Sequence, residues 1–273
     1  MSSSRADLQS AAPSAGDAPS YSQEFYSGQV PGALRSARIV LEILFEAYRP
    51  ASVLDVGCGQ GAWLAAAEAL GCTDLTGVDG SWVNVSALLS KRMRFTPKDL
   101  EARLALSRRF DLCLSVEVAE HLSVSRARSF VEDLCAASDV VLFSAAIKMQ
   151  GGTSHTNEQR QSYWAGLFDS FGYQCHDLFR PRLWTDQRVE RWYRQNLLLY
   201  VRRSSPLADT IRSGARLETP LDVVHPEIYE DNLEGFRRLL EEPTLRVCWQ
   251  MWLLWCRRQM GKLRKGPAPR RPE

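Results

Sequence analysis

The stretch Val53–Trp63, VLDVGCGQGAW, constrains the fold of this chain more than any other. A short apolar run carrying one acid, Asp55, leads into three glycines at alternate positions, Gly57, Gly59 and Gly61. Glycine reaches backbone conformations that a Cβ forbids, and it lets a ligand approach the main chain closely. Open α/β sheets bind their ligands at the carboxyl ends of their strands, on loops of this kind. Two familiar glycine loops are excluded by spacing. The dinucleotide fingerprint is G-x-G-x-x-G, whereas the order here is G-x-G-x-G. The Walker loop needs Lys-Ser/Thr after its last glycine, and Gly61 is followed by Ala62-Trp63.

The surrounding sequence keeps the same rhythm. Val53–Val56, Leu75–Val78, Met93–Phe95, Leu112–Val116 and Val140–Phe143 are short apolar runs, each predicting a buried strand. Helical spacing is present over Ala33–Tyr48, where Pro50 stops it, and over Trp63–Leu70, Trp82–Leu89, Arg126–Ala137 and Gln161–Phe171. Strand alternating with helix predicts a parallel sheet. After the fifth strand comes the polar loop GGTSHTNEQ, Gly151–Gln159. Gln174–Leu178 and Asn196–Val201 then follow with no helical crossover, which predicts an antiparallel pair at the sheet edge. The residues between them, Phe179–Gln195, are expected to form an excursion above the sheet.

The predicted fold class is α/β: a Rossmann-like, mostly parallel seven-stranded sheet with an antiparallel edge strand, plus a helical C-terminal extension. The expected boundaries are a disordered tail over 1–20, a domain over 21–203 and the extension with its basic tail over 204–273, with 202–220 as a linker.

Composition narrows the setting. With 34 Lys+Arg against 32 Asp+Glu, overall charge does not point to nucleic acid. The first twenty residues are rich in Ser and Ala and carry no apolar run of the secretory kind. No apolar stretch reaches the length of about eighteen residues that a spanning helix needs. The seven cysteines include no C-x-x-C, so reduced thiols and a cytoplasmic setting are expected. Val247–Lys265 is apolar in its first half and basic in its second. Such a helix suits docking on the domain, a homodimer, or peripheral contact with an anionic membrane surface.

Two further features join the glycine loop. An acid, Asp79, ends the second strand, and Lys98-Asp99-Leu100 follows the third. With these the sequence resembles the class I S-adenosylmethionine-dependent methyltransferases over about Ala33–Val201. Within that group it is most similar to small-molecule and sugar methyltransferases of bacterial glycan or natural-product pathways. The resemblance implies S-adenosyl-L-methionine as cofactor. It places Asp55, Gly57, Cys58, Gly59 and Gly61 in the loop around the cofactor's methionine part, Asp79 and Gly80 at the ribose, and Asp99 and Leu100 at the adenine. It puts Ser115 and Glu117, in the segment LSVEVAEHL, at the end of strand four.

Methyl transfer from a sulfonium needs alignment of the nucleophile and exclusion of water. A hydroxyl acceptor also profits from a base that titrates near neutral pH, which suits histidine. His121 after strand four and His155 in the polar loop are the candidates, and Glu117 lies one helical turn before His121. Each histidine could equally pack or tie its own loop. Asn157, Glu158, Tyr163, Trp184 and Arg188 are the candidate contacts to a small polar acceptor. No trio of carboxylates marks a magnesium site, so metal-independent chemistry is expected. O-methylation of a sugar or glycosylated metabolite is the leading expectation. N- or carboxyl-methylation and a non-catalytic cofactor-binding scaffold stay open beside it.

Overall fold

The computed structural model of the 273-residue chain describes residues 23–212, 220–241 and 245–264. The expected tail over 1–20 lies outside them. The chain divides into a compact unit over 1–223 and a second over 224–273.

The first unit is a seven-stranded sheet. Its strands are β1 (Ser52–Val56), β2 (Asp74–Asp79), β3 (Arg94–Pro97), β4 (Leu112–Val116), β5 (Val140–Ser144), β6 (Tyr173–His176) and β7 (Leu198–Arg202), in the order β3-β2-β1-β4-β5-β7-β6. β3 to β5 run parallel through β1. β7 runs antiparallel to both β5 and β6, so the last strand of the sequence inserts inside the edge strand.

Side chains alternate across the sheet, as strand geometry demands. Leu112 and Leu114 face one core with α1 (Gln23–Ala47) and α2 (Ala62–Ala69), while Cys113 faces the other with α3 (Ala127–Ala137) and α4 (Gln161–Ser170). In the second core Phe168 of α4 stacks on Tyr200 of β7 at 3.9 Å between ring centroids, and Phe143 of β5 meets Phe168 edge-on.

Three sequence expectations are corrected. Trp82–Leu89 is not a helix but a loop with one 3-10 turn at Val85–Ala87. Asn84 accepts from Ser86 N at 3.1 Å and from Ser86 Oγ, a local bond that competes with helix continuation. The presumed linker contains a short helix at Leu207–Arg212, whose Ala208 and Ile211 are buried in the first core. The excursion over Phe179–Gln195 does not stand clear of the sheet. Arg180–Leu183 and Arg191–Asn196 are helical, and Phe179, Leu183, Val189 and Tyr193 join the first core.

The second unit holds helices Pro226–Glu241 and Leu245–Arg264. In the latter Trp249 and Trp252 stack at 4.9 Å and remain exposed with Trp255. Among the described residues no helix is long and apolar enough to cross a membrane.

Candidate active site

The site is assembled where β1, β2, β4 and β5 end together. Each parallel strand runs out at the same sheet edge, so the residues that follow them meet there.

The glycine loop leaves β1 in a left-handed conformation, with φ of 85° at Gly57. A Cβ at Gly57 would also stand 2.3 Å from Val118, so this position is closed to other residues twice over. The loop is tied to β2 by Asp79. Its Oδ2 accepts from Gly59 N at 2.7 Å and its Oδ1 from Gly80 N at 2.6 Å. Each oxygen keeps a lone pair for a further donor, such as a ribose hydroxyl. Burial raises the Asp79 carboxyl, and these two backbone bonds work against that rise.

Asp55 lies fully buried behind the loop, and its Oδ2 has no hydrogen-bond partner. Burial, and then the neighbouring Asp79, push its pKa up to about 8. A buried carboxylate in that position gains from a cationic group, and the α-ammonium of a methionine moiety is one. Ser115 Oγ, buried at the end of β4, is likewise without a partner. Asp99 follows β3, where Pro97 is in register with Asp79, and its Oδ1 caps Glu101 N. Leu100 beside it is buried in the second core. Trp82 had no signal in the sequence. Its ring lies against Gly80, where a Cβ would come within 2.1 Å of it. These residues fit S-adenosylmethionine: paired acids at β1 and β2, a glycine loop that admits the ligand, and partnerless polar atoms behind it.

Beyond the loop lies a second, acidic cluster. Glu117 directly follows β4 and is one of the few non-glycine residues here with positive φ, 54°. Such strain concentrates at functional positions. Glu117 is therefore not in a helix, and the helical pairing with His121 expected from spacing does not form. Its Oε2 accepts from Gln150 Nε2 at 3.1 Å and its Oε1 from Asn196 Nδ2 at 3.2 Å. Gln150 Oε1 in turn accepts from Asn196 at 2.9 Å and from Gln195 at 3.0 Å. Burial raises the Glu117 carboxyl, and the bonds from Ser144, Asn196 and Gln150 oppose it.

The 3-10 turn Ala119–His121 carries Glu120 and His121. Glu120 is fully buried, and its carboxyl meets only the Glu117 carboxyl and the backbone of Glu120 and Ala146, with no strong hydrogen bond to either oxygen. Burial, with Glu117 next, holds its pKa well above the usual carboxylate range. His121 meets His155 edge to face at 4.8 Å between ring centroids. Burial, and then His155, lower the His121 pKa to about 4, while backbone bonds at Ser154 and Thr153 act the other way.

The polar loop is bound to that turn. Thr156 N and Asn157 N both donate to Glu120 O, at 2.8 and 2.9 Å, and Thr156 Oγ1 reaches Leu122 O. Glu158 folds the loop on itself, accepting from Met149 N, Gly151 N and His155 Nδ1, each at 2.9 Å. So the structure brings His121 and His155 together with Glu117. Asn157 and Glu158 hold the loop, Asn157 buried against Ala119 O at 3.4 Å. Arg188 is not brought to this cluster: its guanidinium is committed to Asp186, at 2.9 and 2.7 Å. Trp184 lends its carbonyl to Arg194 at 3.2 Å. Tyr163 stands on α4, partly exposed and edge-on to Trp164. The sequence reading missed Glu120, Gln150, Gln195 and Asn196. Glu120 was visible inside E-x-x-E-H, and Asn196 was hidden at the head of a strand.

A doubly covered sheet with a glycine loop and acids at its carboxyl edge defines a Rossmann-like enzyme that binds an adenosyl cofactor. Residues 26–178 match the family described as methyltransferase domain. The chain belongs to that family, among the class I S-adenosylmethionine-dependent methyltransferases that its glycine loop resembles.

Solved structures agree on the fold. Magnesium protoporphyrin IX methyltransferase from Synechocystis PCC 6803, with bound SAH, is 18% identical at a TM-score of 0.50, over 68% of this chain and 90% of that one. An O-methyltransferase family protein from Burkholderia thailandensis is 16% identical at 0.50, over 67% of this chain and 59% of that one. A putative O-methyltransferase from Nostoc punctiforme PCC 73102 is 13% identical at 0.50, over 65% and 59%. No curated protein matches.

Proposed function

We propose that the chain transfers the methyl group of S-adenosylmethionine to a hydroxyl of a small polar acceptor, such as a sugar or glycosylated metabolite. When bound, the cofactor supplies a methyl carbon activated by its sulfonium; its displacement leaves the C–S bonding pair on sulfur, as S-adenosylhomocysteine. The observation that carries the hydroxyl reading is the pair of imidazoles beside the amide network of Glu117, Gln150 and Asn196. The amides offer hydrogen bonds that a polar acceptor can exchange for its own. His155 has its Nδ1 held by Glu158, which fixes the ring and leaves Nε2 to receive the hydroxyl proton. Burial lowers the pKa of His121, which makes its imidazole a weak base.

A second reading rests on a different observation. The buried carboxyl of Glu120 beside the half-buried carboxyl of Glu117 favours a cationic partner, so an amine acceptor is the alternative. The two readings part on one experiment. Wild type and His155→Ala are assayed against matched alcohol and amine acceptors with labelled cofactor. Hydroxyl transfer in the wild type, reduced 10²- to 10⁴-fold in kcat by the variant, supports a histidine at the hydroxyl. Transfer confined to amines and indifferent to the variant removes the hydroxyl reading.

A further inference from the structure

We infer that Glu120, His121 and His155 form a binding site for one divalent transition-metal cation. Three ligand atoms, one from each residue, lie within 4.8 Å of one another. Ligands arranged tetrahedrally around one cation at bonds of about 2.1 Å stand roughly 3.4 Å apart, so the widest separation has to close by more than an ångström when an ion binds. Two imidazoles and one carboxylate suit Mn, Fe, Co, Ni or Zn rather than magnesium, which prefers oxygen. Three protein ligands also leave positions open for water or a substrate, as in catalytic rather than structural sites.

The surroundings point to a ligand independently of this geometry. Glu120 is fully buried; its carboxyl has no strong hydrogen bond and meets only the Glu117 carboxyl and the backbone of Glu120 and Ala146. A lone buried carboxylate is costly unless a proton or a cation compensates it. Its charged neighbour is Glu117, of the same sign, whose partners are neutral amides. One divalent cation held by neutral imidazoles balances two carboxylates. The outer contacts are those a metal site uses. Glu158 binds His155 Nδ1 at 2.9 Å, and the backbone of Thr153 and Ser154 holds the His121 ring. The loop bonds from Thr156 and Asn157 to Glu120 O bring the two segments into one cluster.

The role of the cation rests on the hydroxyl reading above; its binding does not. With the cation bound, His155 serves as a ligand in place of the proton acceptor it is in the metal-free reading: an acceptor hydroxyl on an open position would be acidified by the cation, and its proton would pass to solvent base.

The test uses the full chain stripped with EDTA and titrated with Co²⁺ and Mn²⁺. We expect one saturable equivalent per chain, a visible Co²⁺ absorption, and histidine nitrogen couplings in pulsed EPR of the Mn²⁺ form. Glu120→Gln and His155→Ala should each weaken binding at least tenfold while leaving S-adenosylhomocysteine affinity unchanged. Where a variant fails to fold, the wild-type nitrogen couplings decide. Absent saturable binding, absent nitrogen couplings, or unaltered affinity in both folded variants overturns the site. Full hydroxyl transfer by the EDTA-treated enzyme overturns the role. Cation binding without transfer to any hydroxyl overturns the hydroxyl reading and leaves the site standing.

Discussion

Asp79 and His121 make the sharpest claims about single residues. Asp79 orders the glycine loop through Gly59 and Gly80 and keeps lone pairs for the ribose. Asp79→Ala should weaken S-adenosylhomocysteine binding by about 1–3 kcal/mol, the cost of polar groups left without partners. Calorimetric titration checks this, and unchanged affinity removes the ribose assignment. For His121 the folded value of about 4 lies below the unfolded value near 6.5. A depressed pKa favours the neutral ring in the folded state. Its stabilisation is therefore present above pH 6.5 and is lost as pH falls from there through 4. Glu117 and Glu120, raised by burial, act in the opposite sense, so total stability is a poor readout. In metal-free protein the His121 ring proton should instead show NMR titration only near pH 4. Titration near 6.5 would mean that the ring is solvated.

The loop over 149–159 shows how an element depends on one side chain. Glu158 is bonded to two backbone amides and one imidazole and so ties three points of the loop together. Glu158→Ala should raise amide exchange at Met149 and Gly151 and weaken metal affinity about 10- to 100-fold, the usual penalty for losing an outer partner. Exchange equal to wild type would show that the loop is held elsewhere. Such elements also mark what could be read beforehand. Strands β1, β2, β4 and β5 were legible because each is a short apolar run buried on both faces. Asp55, the glycines and Asp79 were legible because the loop fixes their order along the chain. The metal cluster was not, because two of its ligands are histidines and one arrives from a distant segment. Trp82–Leu89 misled because Asn84 bonds its own loop, a contact that periodicity does not register. Arg188 pairs with Asp186, two residues before it, a contact that residue type alone did not announce.

Across the whole molecule, the thiols report on the sheet and its helices. Cys58, Cys72, Cys113 and Cys135 are buried, whereas Cys248 is exposed. Burial pushes Cys72 up to about 11 and Cys135 to about 12, which leaves little thiolate at neutral pH. A thiol reagent should modify Cys248 rapidly in native protein and the four buried residues only with denaturant. Fast native modification of Cys113 would contradict a closed core. One consequence of the topology concerns synthesis. β7 is the last strand made, yet it separates β5 from the edge strand β6. A nascent chain on the ribosome can pair β1 to β5 early, but the space beside β5 waits for residues 198–202 to emerge. Asn196, which bonds Glu117, emerges just ahead of them. The cofactor's half of the site can therefore take shape during translation, while the acceptor's half is completed only when the sheet is sealed.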